Sequence, residues 1–434
     1  MSETSADLVL DIDKKLDELP PIPSERCIFR VHDLLRKENE KAYEPNVVAI
    51  GPYHHGKDNL QPMEDHKLRY LQQLLQRRNE TSAERYIVAM QESEQRARKF
   101  YAEPISLDSN AFVKMMVLDS CFIVELLRKY VRKSLRDPND CIFLLDHIEL
   151  GTRRDLMLFE KQLPFFIVMQ LFNMTRDYSD RLDNLIGMFV IFFLQITPGK
   201  LLPAPSENPS EVFQHFLTDI IHLLAENPRE DYIKHLLGLL HYCCCYEFQS
   251  MVSRRNIVEI KDKSLKSTKE LQEAGIKFNQ IEERNLFDIR FVNGTMEIPT
   301  LVVQDSTESF LRNLIAYELY LPDTSRNYFT AYHKVMDYLV NTSEDVEILT
   351  QHGIIHNILG DNEVVADMIN KLGNSIVVSY VGYEEVYNNV NEHCRGKWNI
   401  WLAILRRKYF NNPWALISFL AAVVLLLLTV TNHI

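Results

Sequence analysis

Phe287-Asp288-Ile289-Arg290-Phe291-Val292-Asn293-Gly294-Thr295-Met296-Glu297-Ile298 decides the fold class of this chain. Phe287, Ile289 and Phe291 alternate with Asp288 and Arg290, Asn293-Gly294 supplies two residues that tolerate positive φ, and Met296 and Ile298 resume the alternation. A period of two predicts a hairpin with one buried face. The long apolar stretches on either side recur with a period near 3.6, so the chain reads as α+β and predominantly α-helical, a helical body with a small β-hairpin or sheet.

Downstream of the hairpin, residues 309–320, 325–340, 345–351 and 361–372 read as helices. Thr342 with Asp345 forms a capping-box pattern, and Gly373 is placed as a helix stop. Upstream, a helix is expected near residues 211–248, a buried one over 185–196, and two more over 111–131 and 155–174, the last broken at Leu163-Pro164. A helix also opens at Pro62, where proline suits the first turn and Glu64 and Asp65 meet the helix dipole. Leu68, Leu71, Leu74 and Leu75 give it a buried face. Before it, Val47 to Ile50 reads as a short extended stretch leading into the turn Gly51-Pro52-Tyr53-His54-His55-Gly56.

From Trp414 to Val430 the chain has no Asp, Glu, Lys or Arg. At about 1.5 Å per residue such a run crosses most of a hydrocarbon core roughly 30 Å thick, which predicts a C-terminal transmembrane helix. Trp414, Leu416, Phe419, Leu425 and Val430 mark that anchor, and Arg406, Arg407 and Lys408 flank it on one side only. The asymmetry places the body on the cytosolic face of the plasma membrane or an endomembrane, in a single-pass arrangement. The first residues lack the basic and apolar regions of a secretory signal, so insertion after release from the ribosome is expected, with Asn79, Asn173, Asn293 and Asn341 unglycosylated. The organisation expected is a flexible leader over 1–24, a mostly helical body over 25–410 with a candidate internal linker at 197–210, and the anchor over 411–434.

A chain of 434 residues, 46% hydrophobic and 25% charged, has ample material for a core. Its formal charge of −12 argues against nucleic acid as a partner. Seven cysteines form no framework, which fits a reducing compartment. Cys243, Cys244 and Cys245 point in different directions around a helix, so they read as buried structural thiols rather than as a metal site, with reversible acylation or metal binding as the alternatives; nearby His241 does not alter that reading.

The search for chemistry finds no nucleophile elbow, phosphate loop, dinucleotide fingerprint, zinc-protease helix or kinase set, and neither a cofactor nor a metal is expected. The most suggestive group is His54, His55, Glu64 and His66, four proton carriers within thirteen positions. Glu64 and His66 stand two apart on a helix and do not share a face, which favours structural hydrogen bonding. His352 and His356 read as a core turn. Asp119, Glu125 and Glu160 lie in apolar helices, where a carboxylate needs a cation or several donors; Arg128 and Lys161 are near in sequence.

Several ordered blocks carry a resemblance. Gly51 to Gly56, Met63 to Leu71, Asp119 to Leu126, Asp155 to Phe166, Glu270 to Phe278, Glu297 to Glu318 and Trp398 to Trp414 are similar to successive blocks of the plant family carrying domain of unknown function 247. The resemblance spans roughly residues 28–429. Lys161 stands where that family commonly has Asn after the Glu of its Glu-Asn-Gln-Leu-Pro block. The resemblance implies a plant protein with one C-terminal membrane segment and supplies no catalytic residues to carry over. Some grass members are implicated in pollen and stigma self-incompatibility, which implies recognition of an unidentified protein partner. Two functions are therefore expected to compete: a membrane-tethered recognition or scaffold module, and a membrane-bound hydrolase or transferase using the His/Glu cluster.

Overall fold

The computed structural model describes residues 3–17, 25–177, 184–201, 233–253, 259–282, 284–322, 326–376, 379–396, 421–422 and 424–425. At its centre is the helix Ser109–Val131, buried along almost its whole length from Phe112 to Lys129. Asp108 caps it by accepting from Ala111 N at 2.8 Å, and an apolar surface on every side suits it to a central position. Helices Gln61–Arg77, Glu84–Arg98, Phe165–Thr175 and Leu185–Phe193 pack around it. Pro62 stands in the first turn of the Gln61–Arg77 helix, as expected. Its buried face runs through Met63, Lys67, Tyr70, Leu71 and Leu74, so Leu68 is turned outward and is 47% exposed.

The expected break at Leu163-Pro164 is a full separation. Helix Asp146–Leu156 ends, an irregular buried passage follows, and Pro164 is the N-cap of Phe165–Thr175. This passage carries Glu160, Lys161 and Gln162, all buried.

The second half holds the sheet. Arg290–Val292 (β2) and Thr295–Pro299 (β3) are antiparallel, joined by Asn293 at φ 50° and Gly294 at φ 76°, the turn the sequence predicts. Lys277–Ile281 (β1) pairs with β3 in parallel, and Leu301–Val303 (β4) pairs in parallel with Ile355–Asn357 (β5). Parallel partners far apart in sequence leave no local signal. Asp288 departs from the expected alternation: it is buried and takes Arg290 Nε and Nη2, each at 2.8 Å. The strand begins only at Arg290, so the pleat does not govern Asp288.

Helices Thr307–Leu319, Tyr328–Leu339, Ser343–Gln351 and Asn362–Leu372 cover this sheet region, and the Thr342/Asp345 capping box is present. Helix Leu236–Val252 packs on Thr307–Leu319; the earlier part of the helix expected over 211–248 lies outside the described residues. Within the candidate linker, Val302 N donates to Pro198 O and Leu286 N to Lys200 O, so residues 198 to 200 lie against the sheet; 202–210 are outside the described residues. Asn313 joins the halves, accepting from Phe159 N at 2.9 Å and donating to Ala42 O at 3.0 Å. Ahead of the body, Glu3–Asp17 is helical, and Leu8, Leu10 and Leu16 on it are exposed.

The expected C-terminal transmembrane helix requires correction. Among the described residues, no helix is long and apolar enough to cross a membrane. Within the Trp414–Val430 run only Ala421, Ala422, Val424 and Leu425 are described, as helical, while Trp414, Leu416, Phe419, Val430 and the flanking Arg406, Arg407 and Lys408 lie outside the described residues. Apolar composition is necessary for a spanning helix; an unbroken helix of about 20 residues is needed as well.

Candidate functional site

Residues 28–60 contain a six-residue helix, Asp33–Glu38, and three single turns, so many buried amides there lack regular backbone partners. Side chains from distant elements supply acceptors. Asp155 Oδ2, at the end of its helix, accepts from Asn46 N at 3.0 Å, Val47 N at 2.7 Å and Val48 N at 3.0 Å. Asp119 Oδ2 accepts from Gly51 N and Glu160 Oε1 from Val31 N, each at 2.8 Å. The stretch expected to be extended at Val47 to Ile50 thus has carboxylates where a strand would have a neighbour. Gly51 lies at φ 72°, and a Cβ there would meet Gln162 O at 2.7 Å, so both conformation and close approach require glycine.

Cations complete the network. Lys161 donates to Val48 O and pairs with Asp155 at 3.1 Å; burial pushes its ammonium down to about 8 against the pull of Asp155. Lys67 bridges Asp119 and Glu64, at 2.6 Å to each. Burial alone would lower Lys67, but the two carboxylates outweigh it and raise it. Glu125 is held by both Arg77 nitrogens at 2.6 and 2.7 Å and by Arg128 at 2.9 Å. The buried carboxylates therefore find cations as expected, but Glu160 pairs with Arg36 and His54 rather than with its neighbour Lys161.

The four nominated proton carriers do not converge: His54, Glu64 and His66 go to three different partners. His54 Nε2 lies 3.1 Å from Glu160 Oε2, which also receives Arg36 Nη2 at 2.8 Å. Burial opposes ionisation of Glu160, yet His54, Arg36 and the Val31 amide hold it below the usual carboxylate range. Glu44, bound by Arg36 and Lys57, is lowered to about 2 although burial opposes this. His55 follows the Pro52–His54 turn, and its Nδ1 is buried without a hydrogen-bond partner among the described residues. Glu64 belongs to Lys67. His66 turns to Cys141, with Nε2 2.7 Å from Sγ. No three His, Cys, Asp or Glu side chains among the described residues are grouped to hold a metal.

Cys141 and Arg69 escaped the sequence reading. Asp140 caps the short helix Cys141–Leu144 through Ile142 N and is fixed by Tyr70 Oη at 2.8 Å and Lys129 Nζ at 3.0 Å, which sets Cys141 opposite His66. The pair opens into a trough of about 440 Å³, lined by apolar Val47, Met63, Leu145 and Ile148 and by polar Asn46, Asn59, Asp65 and Arg69, the last two exposed. Nothing local to the single Cys141 announces this; its partner is 75 residues away. His241 Nε2 meets Glu318 Oε1 at 2.8 Å beside the three buried cysteines, and His352 Nδ1 lies 2.8 Å from Ile348 O while His356 is exposed on β5.

A family of plant proteins of unknown function, domain of unknown function 247, matches residues 28–428. The chain belongs to this family. It is similar to a UPF0481 protein of Arabidopsis thaliana, 29% identical over 419 residues, covering 93% of this chain and 84% of the relative. It is also similar to a putative UPF0481 protein of the same plant, 24% identical over 496 residues, covering 97% of this chain and 92% of the relative. No solved structure matches significantly. The blocks that resemble the domain of unknown function 247 family at 51–56, 63–71, 119–126 and 155–166 meet in space: they hold Gly51, His54, Lys67, Asp119, Asp155, Glu160 and Lys161 of the buried network.

Proposed function

We propose that this chain is a protein-recognition module whose docking face is the trough between residues 46–69 and 141–150. The observation that carries the reading is an exposed apolar rim on a fixed floor. Leu144, Leu145 and Leu150 are 61%, 45% and 49% exposed within seven positions, beside a loop whose amides are tied to buried carboxylates. Leu145 lines the trough and Leu144 and Leu150 flank it in sequence, and exposed leucines next to a concave site are what a partner covers. Arg69 is exposed and holds no ion pair among the described residues, so the partner segment that fits is an apolar side chain followed by a carboxylate.

The test is proximity labelling in plant cells followed by direct binding of each purified candidate to wild type, Leu145→Asp, Arg69→Glu and the distant surface variant Val364→Asp. Both trough variants are expected to weaken one partner at least tenfold while Val364→Asp binds as wild type. Equal affinity across all four proteins would overturn the reading.

A further inference from the structure

Among the seven cysteines, Cys141 stands apart. Cys121, Cys243, Cys244, Cys245 and Cys394 are buried, and burial pushes the Cys121, Cys244 and Cys245 thiols well above the ordinary value. The acylation considered for residues 243 to 245 has no accessible sulfur there. Cys27 is partly exposed, yet burial raises it to about 12. Cys141 is partly exposed, has an imidazole nitrogen at 2.7 Å and opens on a trough with an apolar wall.

We propose that Cys141 is a site of S-acylation by a fatty acyl thioester, with His66 as the proton acceptor and the alkyl chain lying in the trough. As Sγ attacks the acyl carbon, its proton passes to His66 Nε2, and the new carbon–sulfur bond forms to Cys141. The donor's carbon–sulfur bond then breaks, and the imidazolium returns the proton to the departing thiolate. One thioester replaces another, and nothing is oxidised or reduced. Burial raises Cys141, with Asp140 adding to it, while burial lowers His66; the resting pair is therefore a neutral thiol and a neutral imidazole, and attack must be coupled to proton transfer.

Three features select this chemistry. The walls Val47, Met63, Leu145 and Ile148 offer an alkyl chain an apolar surface, and about 440 Å³ falls within the range of small-molecule sites, roughly 300–1,000 Å³. Arg69, exposed in the lining together with Asp65, suits the phosphates of a coenzyme A thioester. Asp140, held by Tyr70 and Lys129, keeps the helix start that aims Cys141 at His66. A chain lodged in the trough would also compete with docking. That consequence rests on the recognition reading; the modification does not.

Purified full chain incubated with palmitoyl coenzyme A, followed by intact mass and peptide mapping, is the test. One hydroxylamine-labile adduct is expected on Cys141, absent in Cys141→Ser and unchanged in Cys27→Ser. His66→Gln should slow its formation at least tenfold, and Ile148→Asp should slow palmitoylation at least fivefold while leaving acetylation by acetyl coenzyme A unaffected. Thermal melts of each variant confirm folding. Label spread evenly over several cysteines, or equal rates in His66→Gln and wild type, would overturn the proposal. Partner binding is not part of this readout, so failure here leaves the docking reading standing.

Discussion

The amides of Val31, Asn46, Val47, Val48 and Gly51 are met by side-chain carboxylates, whereas those in residues 277–303 are met largely by neighbouring strands. Around the sheet the interior is accordingly aromatic: Phe287 packs edge-on to Phe329 with centroids 4.9 Å apart and near Phe248 and Tyr332 at 5.6 and 5.7 Å. Around the loop it is ionic, with Asp119, Asp155, Glu160, Lys67 and Lys161 all buried. A chain without regular backbone pairing needs fixed acceptors, and a buried carboxylate needs cations to remain charged. Irregular backbone and buried charge therefore arrive together, and the loop's shape depends on a handful of side chains rather than on a repeating ladder.

The largest test of that contrast is Asp155→Ala. It removes the acceptor for the Asn46, Val47 and Val48 amides and leaves Lys161 buried without its carboxylate. A loss of about 3–5 kcal/mol is expected, as for breaking a buried ion pair, read from urea unfolding midpoints. A loss below about 1 kcal/mol would mean that the loop is held by other means. On the aromatic side, Phe287→Leu should cost about 2 kcal/mol at roughly 0.8 kcal/mol per buried methylene, with no change in amide exchange over residues 46–51.

Acid separates the regions without a mutation. Glu44 and Glu160 have lowered folded pKa values, so their contribution is present above the unfolded value of 4.5 and is lost as pH falls through the folded ones, about 2 for Glu44. Amide exchange at Val31, and limited proteolysis near residues 36 to 57, should therefore rise between these limits before exchange in β1 and β3 does. Simultaneous loosening of both regions would erase the distinction. The smallest effect sharpens the sheet side: Asn293→Ala places a Cβ residue without a local polar side chain at φ 50°, costing about 1 kcal/mol. Arg395→Ala, which breaks an exposed pair with Asp262, should stay within about 0.5 kcal/mol and serves as the baseline.

Much of the fold was legible because its signals are local. The hairpin at Asn293-Gly294, the capping box at Thr342 and Asp345, and the start at Pro62 are decided by residues within a few positions of each other. The site was legible only in part. Asp119, Glu125 and Glu160 stood out as charges in apolar surroundings, but their partners did not, and Leu68 was assigned to a face that Lys67 and Tyr70 occupy instead. The histidine grouping near Glu64 reflected nearness in sequence; in space His54 and His66 answer to Glu160 and Cys141, 106 and 75 residues away. For the apolar run after Trp414 the membrane reading rested on composition, whereas among the described residues no helix is long and apolar enough to cross a membrane.

By itself the sequence determined where most helices and the hairpin lie and that the chain carries buried ionisable groups, because periodicity, capping and turn chemistry act over one or two turns of chain. Tertiary structure alone decided which carboxylate holds which amide, the parallel pairings of β1 with β3 and β4 with β5, and the meeting of His66 with Cys141. Those choices depend on distances between groups 18 to 129 residues apart, set only when the helices have packed.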